Sequence, residues 1–197
     1  MGSFMRVSQA ASPAPILVLG DSISAEYGLA RGTGWVALLE RKLGAEKINR
    51  PVINASISGD TTSGGRSRLP ALLAQHQPGV VIIELGGNDA LRGLPLSMTT
   101  DNLGWMTQAA QKAGAKVLLL GMQVPPNYGA DYGRRFAGMF TSVAQAHQVA
   151  VVPFLLKGVA DGPDALKLFQ PDRIHPVQAA HPTLLNNVWP ELKKLLP

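Results

Sequence analysis

The sequence predicts a three-layer α/β/α domain built on a five-stranded parallel sheet. Five short apolar runs alternate with segments of helical periodicity. Each run is apolar on both faces, as is typical of parallel strands that helices cover on both sides. At 197 residues the chain supports one hydrophobic core but is too short for an eightfold barrel. We assign residues 15–197 to this single domain and expect residues 1–14 to be a disordered leader or residues left from expression.

The first half of the chain contains two strand–helix units and a central strand. "PILVLG" (15–20) is predicted to be a strand because it is apolar up to its final glycine. "GWVALLERKLG" (34–44) has helical periodicity and ends in the glycine that often closes a helix. "PVINAS" (51–56) is the second strand, and a helix ending in "LPALLAQHQ" follows it. "GVVIIELGG" (79–87) is the third strand, since it is β-branched and continuously apolar.

The second half of the chain repeats the same alternation. Its predicted elements are a helix at 99–114, a strand at 115–121, a helix at 131–148, a strand at 149–154 and a last helix at 179–196. We expect Pro182 and Pro190 to break or kink that last helix. A long irregular connection runs from about Leu155 to Ile174, and such loops in compact domains are usually functional.

The composition excludes several classes of protein. Hydrophobic residues make up 46% and charged residues 16% of the chain, which is typical of a globular domain rather than a disordered one. The net charge of +5 is scattered without a Lys/Arg block, so no nucleic-acid partner is expected. No apolar run is long enough for a stable membrane anchor. The absence of cysteine excludes disulfides, thiolate metal sites and a cysteine nucleophile.

Polar clusters follow the strands at their carboxyl ends. They read "GDSIS", "NASISGDT", "GGNDALRG" and "MQVPPNYG" after the first four strands, and "PDRIHP" follows the fifth. In an open parallel sheet the carboxyl ends of the strands meet at one edge, where ligands bind. We therefore expect clusters that are distant in sequence to form one site.

Ser22 is the candidate nucleophile of this site, and a nucleophilic serine needs a base. His175 is the best candidate because Asp172 precedes it by three residues and Pro176 fixes the turn after it. Asp172 can then bind one ring nitrogen while the other faces Ser22. The remaining histidines lie at the opposite edge or lack a nearby carboxylate: His76, His147 and His181.

An acyl-transfer enzyme also needs hydrogen-bond donors for the oxyanion that develops on the substrate. Gly59 follows Ser58 in a tight turn, where a backbone N–H approaches a ligand without a Cβ in the way. Asn88 follows two glycines at the end of the central strand and offers its carboxamide. These two residues are the candidate oxyanion donors.

The motifs GDSIS, SISGD, GGND and D-x-x-H-P, in this order and spacing, resemble those of the GDSL or SGNH hydrolase superfamily. The resemblance covers the chain from Ile16 to the last helix. It looks closest to the bacterial branch of multifunctional thioesterases, arylesterases and lysophospholipases, because "NASISGDTTSGG", "ELGGNDALRG" and "PPNYG" are similar to that branch. Arg173 departs from the pattern, since a glycine is common there.

The resemblance implies a flavodoxin-like fold and a serine esterase that acts on small-molecule esters or thioesters without a metal or cofactor. It implies Ser22 as nucleophile, Asp172 and His175 as the rest of the triad, and the Ser22 amide, Gly59 and Asn88 as the oxyanion hole. It also implies a periplasmic or secreted location.

Apolar residues of the loops after strands three and four form the candidate substrate site: Leu91, Val124, Pro125, Pro126 and Tyr128. They either line an acyl groove or simply pack the loops.

Three alternatives remain at the level of the sequence. A carbohydrate acetylesterase of the same superfamily would have a small polar pocket, and a flavodoxin-like binding protein would share the sheet. A metal hydrolase would use Asp60, Asp89, Asp172 and His175, although no metal-binding motif such as H-E-x-x-H is present. Glu84, in the central strand, is expected to be a buried structural carboxylate paired with an arginine.

Overall fold

A five-stranded parallel sheet forms the middle layer of the protein in the computed structural model, which describes residues 13–196. The strands lie in the order β2-β1-β3-β4-β5, and all neighbouring pairs are parallel. The predicted fold class is therefore confirmed. The strands are β1 (Ile16–Gly20), β2 (Val52–Asn54), β3 (Val80–Glu84), β4 (Lys116–Leu120) and β5 (Ala150–Val152).

Helices cover both faces of the sheet. They are α1 (Trp35–Ala45), α2 (Thr62–His76), α3 (Gly87–Leu91), α4 (Leu96–Lys112), α5 (Ala130–His147) and α6 (His181–Leu195). Helices α1 and α6 pack against each other, whereas α2, α4 and α5 pack together as a second group. The side chains of β1 and β3 are buried throughout, as expected for central strands covered on both sides.

The strand order locates a crevice at the carboxyl ends of β1 and β3. Strand β1 lies between β2 and β3, and its register places Gly20 beside Glu84. The chain leaves β1 towards β2 on one side and then crosses back to β3 on the other. Ligands of open α/β sheets bind where the strand order reverses in this way.

The predicted elements differ from the observed ones mainly at their ends. The third strand ends at Glu84 instead of residue 87, because the chain turns at Gly86, whose φ of +120° suits glycine. The unpredicted helix α3 follows that turn. The expected break in the last helix is wrong, since α6 is continuous through Pro190. Pro182 lies in its first turn, where a backbone N–H has no helical partner to lose.

Residues 1–12 lie outside the described residues, and with them most of the expected leader, so the domain boundary stays a prediction. Within residues 13–196, no helix has both the length and the hydropathy that crossing a bilayer requires.

Candidate active site

Ser22 lies two residues beyond the end of β1, in the turn that follows the strand. Asp21 is buried, and its Oδ1 accepts a hydrogen bond from the Ile23 N–H at 3.1 Å. The Asp21 and Ser22 carbonyls accept hydrogen bonds from Ala25 and Tyr27. The Gly-Asp-Ser sequence therefore forms a tight turn, as turn statistics alone predict. That turn presents the Ser22 hydroxyl at the edge of the sheet.

Asp172, His175 and Ser22 form a chain of hydrogen bonds. Asp172 Oδ2 lies 2.6 Å from His175 Nδ1, and His175 Nε2 lies 2.8 Å from Ser22 Oγ. An ionised carboxylate only accepts hydrogen bonds, so Nδ1 carries the ring proton and Nε2 is free to accept one from the serine. The structure thus brings Ser22 together with Asp172 and His175, although Asp172 follows Ser22 by 150 positions in the sequence.

Asp172 is suited to remain ionised in this chain. Burial raises its pKa, but hydrogen bonds from the His175 backbone and ring and from the Ile174 backbone outweigh that effect. Together they lower the pKa of Asp172 to about 2. Its Oδ1 accepts the Ile174 and His175 N–H groups at 2.9 and 3.0 Å. The carboxylate therefore fixes the turn that carries the histidine as well as its ring.

Gln170 and Tyr27 hold the histidine loop against the nucleophile turn. The Gln170 N–H donates to the His175 carbonyl at 2.7 Å, and its side-chain amide donates to the carbonyls of Tyr27 and Pro176. The Tyr27 ring packs on the His175 ring, with 4.3 Å between centroids. The sequence predicts neither contact, because nothing in the spacing of residues 27 and 170 indicates that they lie close to each other or to His175.

Gly59 and Ser22 each offer an unoccupied backbone N–H. In the described chain neither group donates to another residue. Gly59 has a φ of +80°, which favours glycine, and its carbonyl accepts a hydrogen bond from Arg92 Nη2 at 2.7 Å. Arg92 therefore steadies the turn whose amide would face an oxyanion.

Asn88 lies in the first turn of α3, and both N–H groups of its side chain are already engaged. Nδ2 donates to Asp21 Oδ2 at 3.0 Å and to the Asp60 carbonyl at 2.9 Å. A carboxamide has only two such protons. To bind an oxyanion, Asn88 must therefore share or give up one of these bonds.

None of the candidate substrate residues lines the hollow beside Ser22 and His175. Leu91 is exposed, Pro125 and Pro126 are exposed, and Val124 is half-buried against the core. The Tyr128 ring stacks on Tyr132 of α5, with 5.9 Å between centroids. Other residues line the hollow beside Ser22 and His175: Ile23, Tyr27, Leu29, Pro176 and His181. The role of the 124–128 loop stays a prediction.

The acidic residues of the metal alternative are engaged in bonds within the protein. Asp60 Oδ2 pairs with Arg68 Nε at 2.8 Å. Buried Asp89 accepts from the Thr62 N–H at 2.9 Å and from the Thr99 hydroxyl at 3.2 Å. Across residues 13–196, no cluster of three or more potential metal-ligating side chains occurs.

Two further expectations concern buried side chains near the site. The prediction that Glu84 pairs with an arginine is wrong. In the described chain Glu84 forms no ion pair and instead accepts hydrogen bonds from the Ser24 hydroxyl and the Asp21 N–H. His181, which has no carboxylate near it in the sequence, is buried, and its Nδ1 accepts the Trp35 N–H at 3.0 Å. Burial lowers the pKa of His181, which suits this structural role.

Comparisons with known proteins agree on one family. Residues 18–182 match the model of the GDSL-like lipase/acylhydrolase family. The chain is 52% identical to a protein named Esterase TesA of Pseudomonas aeruginosa, over 96% of this chain and 93% of that one. It is 39% identical to the Escherichia coli Thioesterase 1/protease 1/lysophospholipase L1, over 95% and 88%. A crystal structure of TesA, 53% identical, superposes with a TM-score of 0.89 and covers 92% of this chain and 99% of its own.

Proposed function

Because the chain belongs to the GDSL-like lipase/acylhydrolase family and is an ester hydrolase, we propose that it cleaves esters and thioesters through an acyl-enzyme on Ser22. The observation that carries the proposal is the continuous chain of hydrogen bonds from Asp172 through His175 to the Ser22 hydroxyl. Neutral His175 with its proton on Nδ1 is the form that accepts a proton at Nε2. Because the members of this family are hydrolases, the alternative function of a flavodoxin-like binding protein is excluded.

In the acylation step, His175 Nε2 takes the Ser22 proton as Ser22 Oγ attacks the substrate carbonyl carbon. The negative charge that develops on the carbonyl oxygen is stabilised by the Ser22 and Gly59 amides and by the Asn88 carboxamide. His175 then gives its proton to the leaving alcohol or thiol. In deacylation, His175 activates water, which releases the acid and restores Ser22. Asp172 stabilises the imidazolium in both steps.

The substrate class that we propose is a small-molecule ester or thioester with an apolar acyl chain. The hollow beside Ser22, which Ile23, Leu29 and Pro176 help to line, has no room for a water molecule, so an acyl chain would bind on the apolar surface around it. Three exposed apolar side chains follow the carboxyl ends of strands: Leu91 at the end of α3, and Ile57 and Ile174 in the loops after β2 and β5. Apolar groups that stay exposed around a catalytic crevice often bind the substrate.

A panel of p-nitrophenyl and acyl-CoA esters of rising chain length tests the substrate class. If apolar walls bind the chain, each buried methylene adds up to about 0.8 kcal/mol, and kcat/KM climbs from acetyl towards medium chains. A profile that peaks at acetyl and falls steadily would favour the carbohydrate acetylesterase instead. Hydrolysis of acyl-CoA but not of oxygen esters would restrict the substrate to thioesters.

We also propose a periplasmic or secreted location, on the strength of the family resemblance alone. Fractionation of cells that express the natural full-length gene product tests it. Enzyme confined to the cytoplasmic fraction would reject the proposal.

A further inference from the structure

Glu84 is a buried carboxyl group directly beneath the active site that the proposed mechanism does not use. It is 1% exposed and lies at the end of β3, beside Gly20 of β1. Its Oε2 accepts the Ser24 hydroxyl at 2.7 Å and the Asp21 N–H at 3.3 Å. Its Oε1 has no hydrogen-bond donor in the described chain. An ionised carboxylate with so few donors and no cation would be costly to bury.

Asp21 is the second member of this buried pair, and it faces the site. Its Oδ1 accepts the Ile23 N–H and its Oδ2 accepts the Asn88 side chain. Burial raises the pKa of Asp21 to about 6, and a hydrogen bond from Glu84 lowers it in part. Burial and the charge of Asp21 raise the pKa of Glu84 well above its usual range. Glu84 has few donors and no cation beside it and is the neutral member of the pair, whereas Asp21, which accepts from Ile23 and Asn88, is the ionised member.

Few other charged groups face the pair. His175, on the loop after β5, favours the ionised form of Asp21, and Asp60, on the loop after β2, disfavours it. Arg68 of α2 is paired with Asp60, and its Nη2 donates to the Gly20 carbonyl at 3.4 Å rather than to either carboxyl group of the pair. Ser24 and Trp35, which complete the surroundings through a hydrogen bond from Trp35 Nε1 to Ser24 Oγ, carry no charge. None of these groups supplies a cation for Glu84.

We propose that Asp21 and Glu84 are positioning residues that share one proton and hold the Asn88 amide beside Ser22, an inference that rests on the proposed function of Asn88. A hydrogen bond to an ionised carboxylate is stronger than one to a neutral carbonyl. The bond from Asn88 to Asp21 is therefore kept, while the bond to the Asp60 carbonyl is the one that the substrate oxyanion replaces.

The proton on Glu84 makes a prediction for the Glu84→Gln variant that an ionised Glu84 would not make. In the folded wild type Glu84 keeps a proton that it loses in the unfolded chain above pH of about 4.3. The free energy of unfolding therefore falls as the pH rises, until the pH exceeds the pKa of Glu84 in the folded protein. Over that range the unfolding equilibrium constant increases by up to about tenfold per pH unit. Glu84→Gln lacks this proton, so its stability should fall less steeply than that of wild type as the pH rises above about 4.3.

Activity of the Glu84 variants separates proton sharing from simple packing. Glu84→Gln donates and accepts where a neutral carboxyl does, so kcat at pH 7 should stay within about threefold of wild type. Glu84→Leu offers no acceptor to Ser24 or Asp21 and should lose about tenfold or more. In wild type at pH 7 the infrared carbonyl stretch of a protonated carboxylic acid should be present, and Glu84→Gln should lack it.

A double-mutant cycle tests whether Asp21 acts through Asn88. Asp21→Asn should lower kcat by about 10- to 100-fold with little change in KM. This loss is smaller than the ~10²–10³-fold loss in kcat that is expected when an oxyanion donor is removed altogether. In the Asn88→Ala background the same change should have almost no further effect on kcat. The control is Asp89→Asn, which alters an equally buried carboxylate that does not bind the Asn88 amide. Its effect on kcat should be the same in the wild-type and Asn88→Ala backgrounds.

Any one of three results would overturn the proposal. Stability could depend on pH in the same way in wild type and Glu84→Gln, or no infrared carbonyl band could depend on Glu84. Finally, Asp21→Asn could lower kcat as much in the Asn88→Ala background as in wild type. Each is distinct from failure of the proposed function, which would appear as ester hydrolysis that persists in Ser22→Ala.

Discussion

Replacing Asn88 by alanine tests the most ambiguous group of the proposed site. The substitution removes two hydrogen bonds, at 3.0 Å to Asp21 Oδ2 and at 2.9 Å to the Asp60 carbonyl. A bond to a neutral carbonyl contributes about 1 kcal/mol and one to a charged group about 1.5–3 kcal/mol. Because Asn88 is only half-buried, water replaces part of this. We expect the free energy of unfolding to fall by about 1–3 kcal/mol, measured by urea denaturation.

The catalytic effect of Asn88→Ala should be larger than its effect on stability. If the amide stabilises the oxyanion, kcat for a p-nitrophenyl ester falls by about 10²–10³, equivalent to about 2.7–4 kcal/mol of transition-state stabilisation. KM should change little, since the oxyanion exists only in the transition state. Steady-state kinetics at a temperature where the variant stays folded measures both constants.

Asn187→Ala is a matched control for the loss of an amide with two acceptors. Asn187 Nδ2 donates to the carbonyls of Leu155 and Lys157, both at 2.8 Å, and in the described residues no hydrogen bond joins it to Ser22 or His175. We expect a loss of stability on the order of 1–2 kcal/mol and an unchanged kcat. If Asn88→Ala behaved in the same way, Asn88 would be a structural residue. If it raised only KM, Asn88 would position the substrate.

Two further predictions concern the histidine loop. Asp172→Asn should lower kcat by roughly 10³-fold or more. It should also remove the contribution of Asp172 to the acid dependence of stability: the benefit of ionised Asp172 is present above pH ~3.9 and is lost as the pH falls through about 2. Denaturation between pH 5 and 2 checks this, and curves of equal slope would contradict it. Arg173→Gly should raise the free energy of unfolding by up to about 1 kcal/mol, since a non-glycine residue is strained at its φ of +59°; an unchanged or lower melting temperature would reject it.

The sequence predicts the sheet well because its physical signal is simple. β3 is a run of β-branched residues, and a strand buried on both faces needs only such residues. The order of chain segments then brings the polar turns after β1, β2 and β3 to one edge without any knowledge of side-chain contacts. The family motifs agree with this placement because the same turns carry them.

The contacts that refine the site are not visible in the sequence. Tyr27 meets His175, and Gln170 meets both loops, only because the connection after β5 folds back over the turn after β1. The sequence around Glu84 does not indicate that its neighbour is the carboxyl group of Asp21 rather than an arginine. The neighbour is determined by the register between β1 and β3. Contacts of this kind follow from tertiary packing, which local patterns do not encode.

Covalent labelling with a p-nitrophenyl phosphonate tests the central claim, that Ser22 is the nucleophile, most directly. A nucleophilic serine attacks phosphorus, expels p-nitrophenolate and keeps a phosphonyl group that mimics the tetrahedral intermediate. We expect wild type to release one equivalent of p-nitrophenolate and to carry a single adduct, which peptide mass spectrometry locates on Ser22, while Ser22→Ala stays unlabelled. An adduct on another residue, or a catalytically active wild type that takes up no label, would contradict the account.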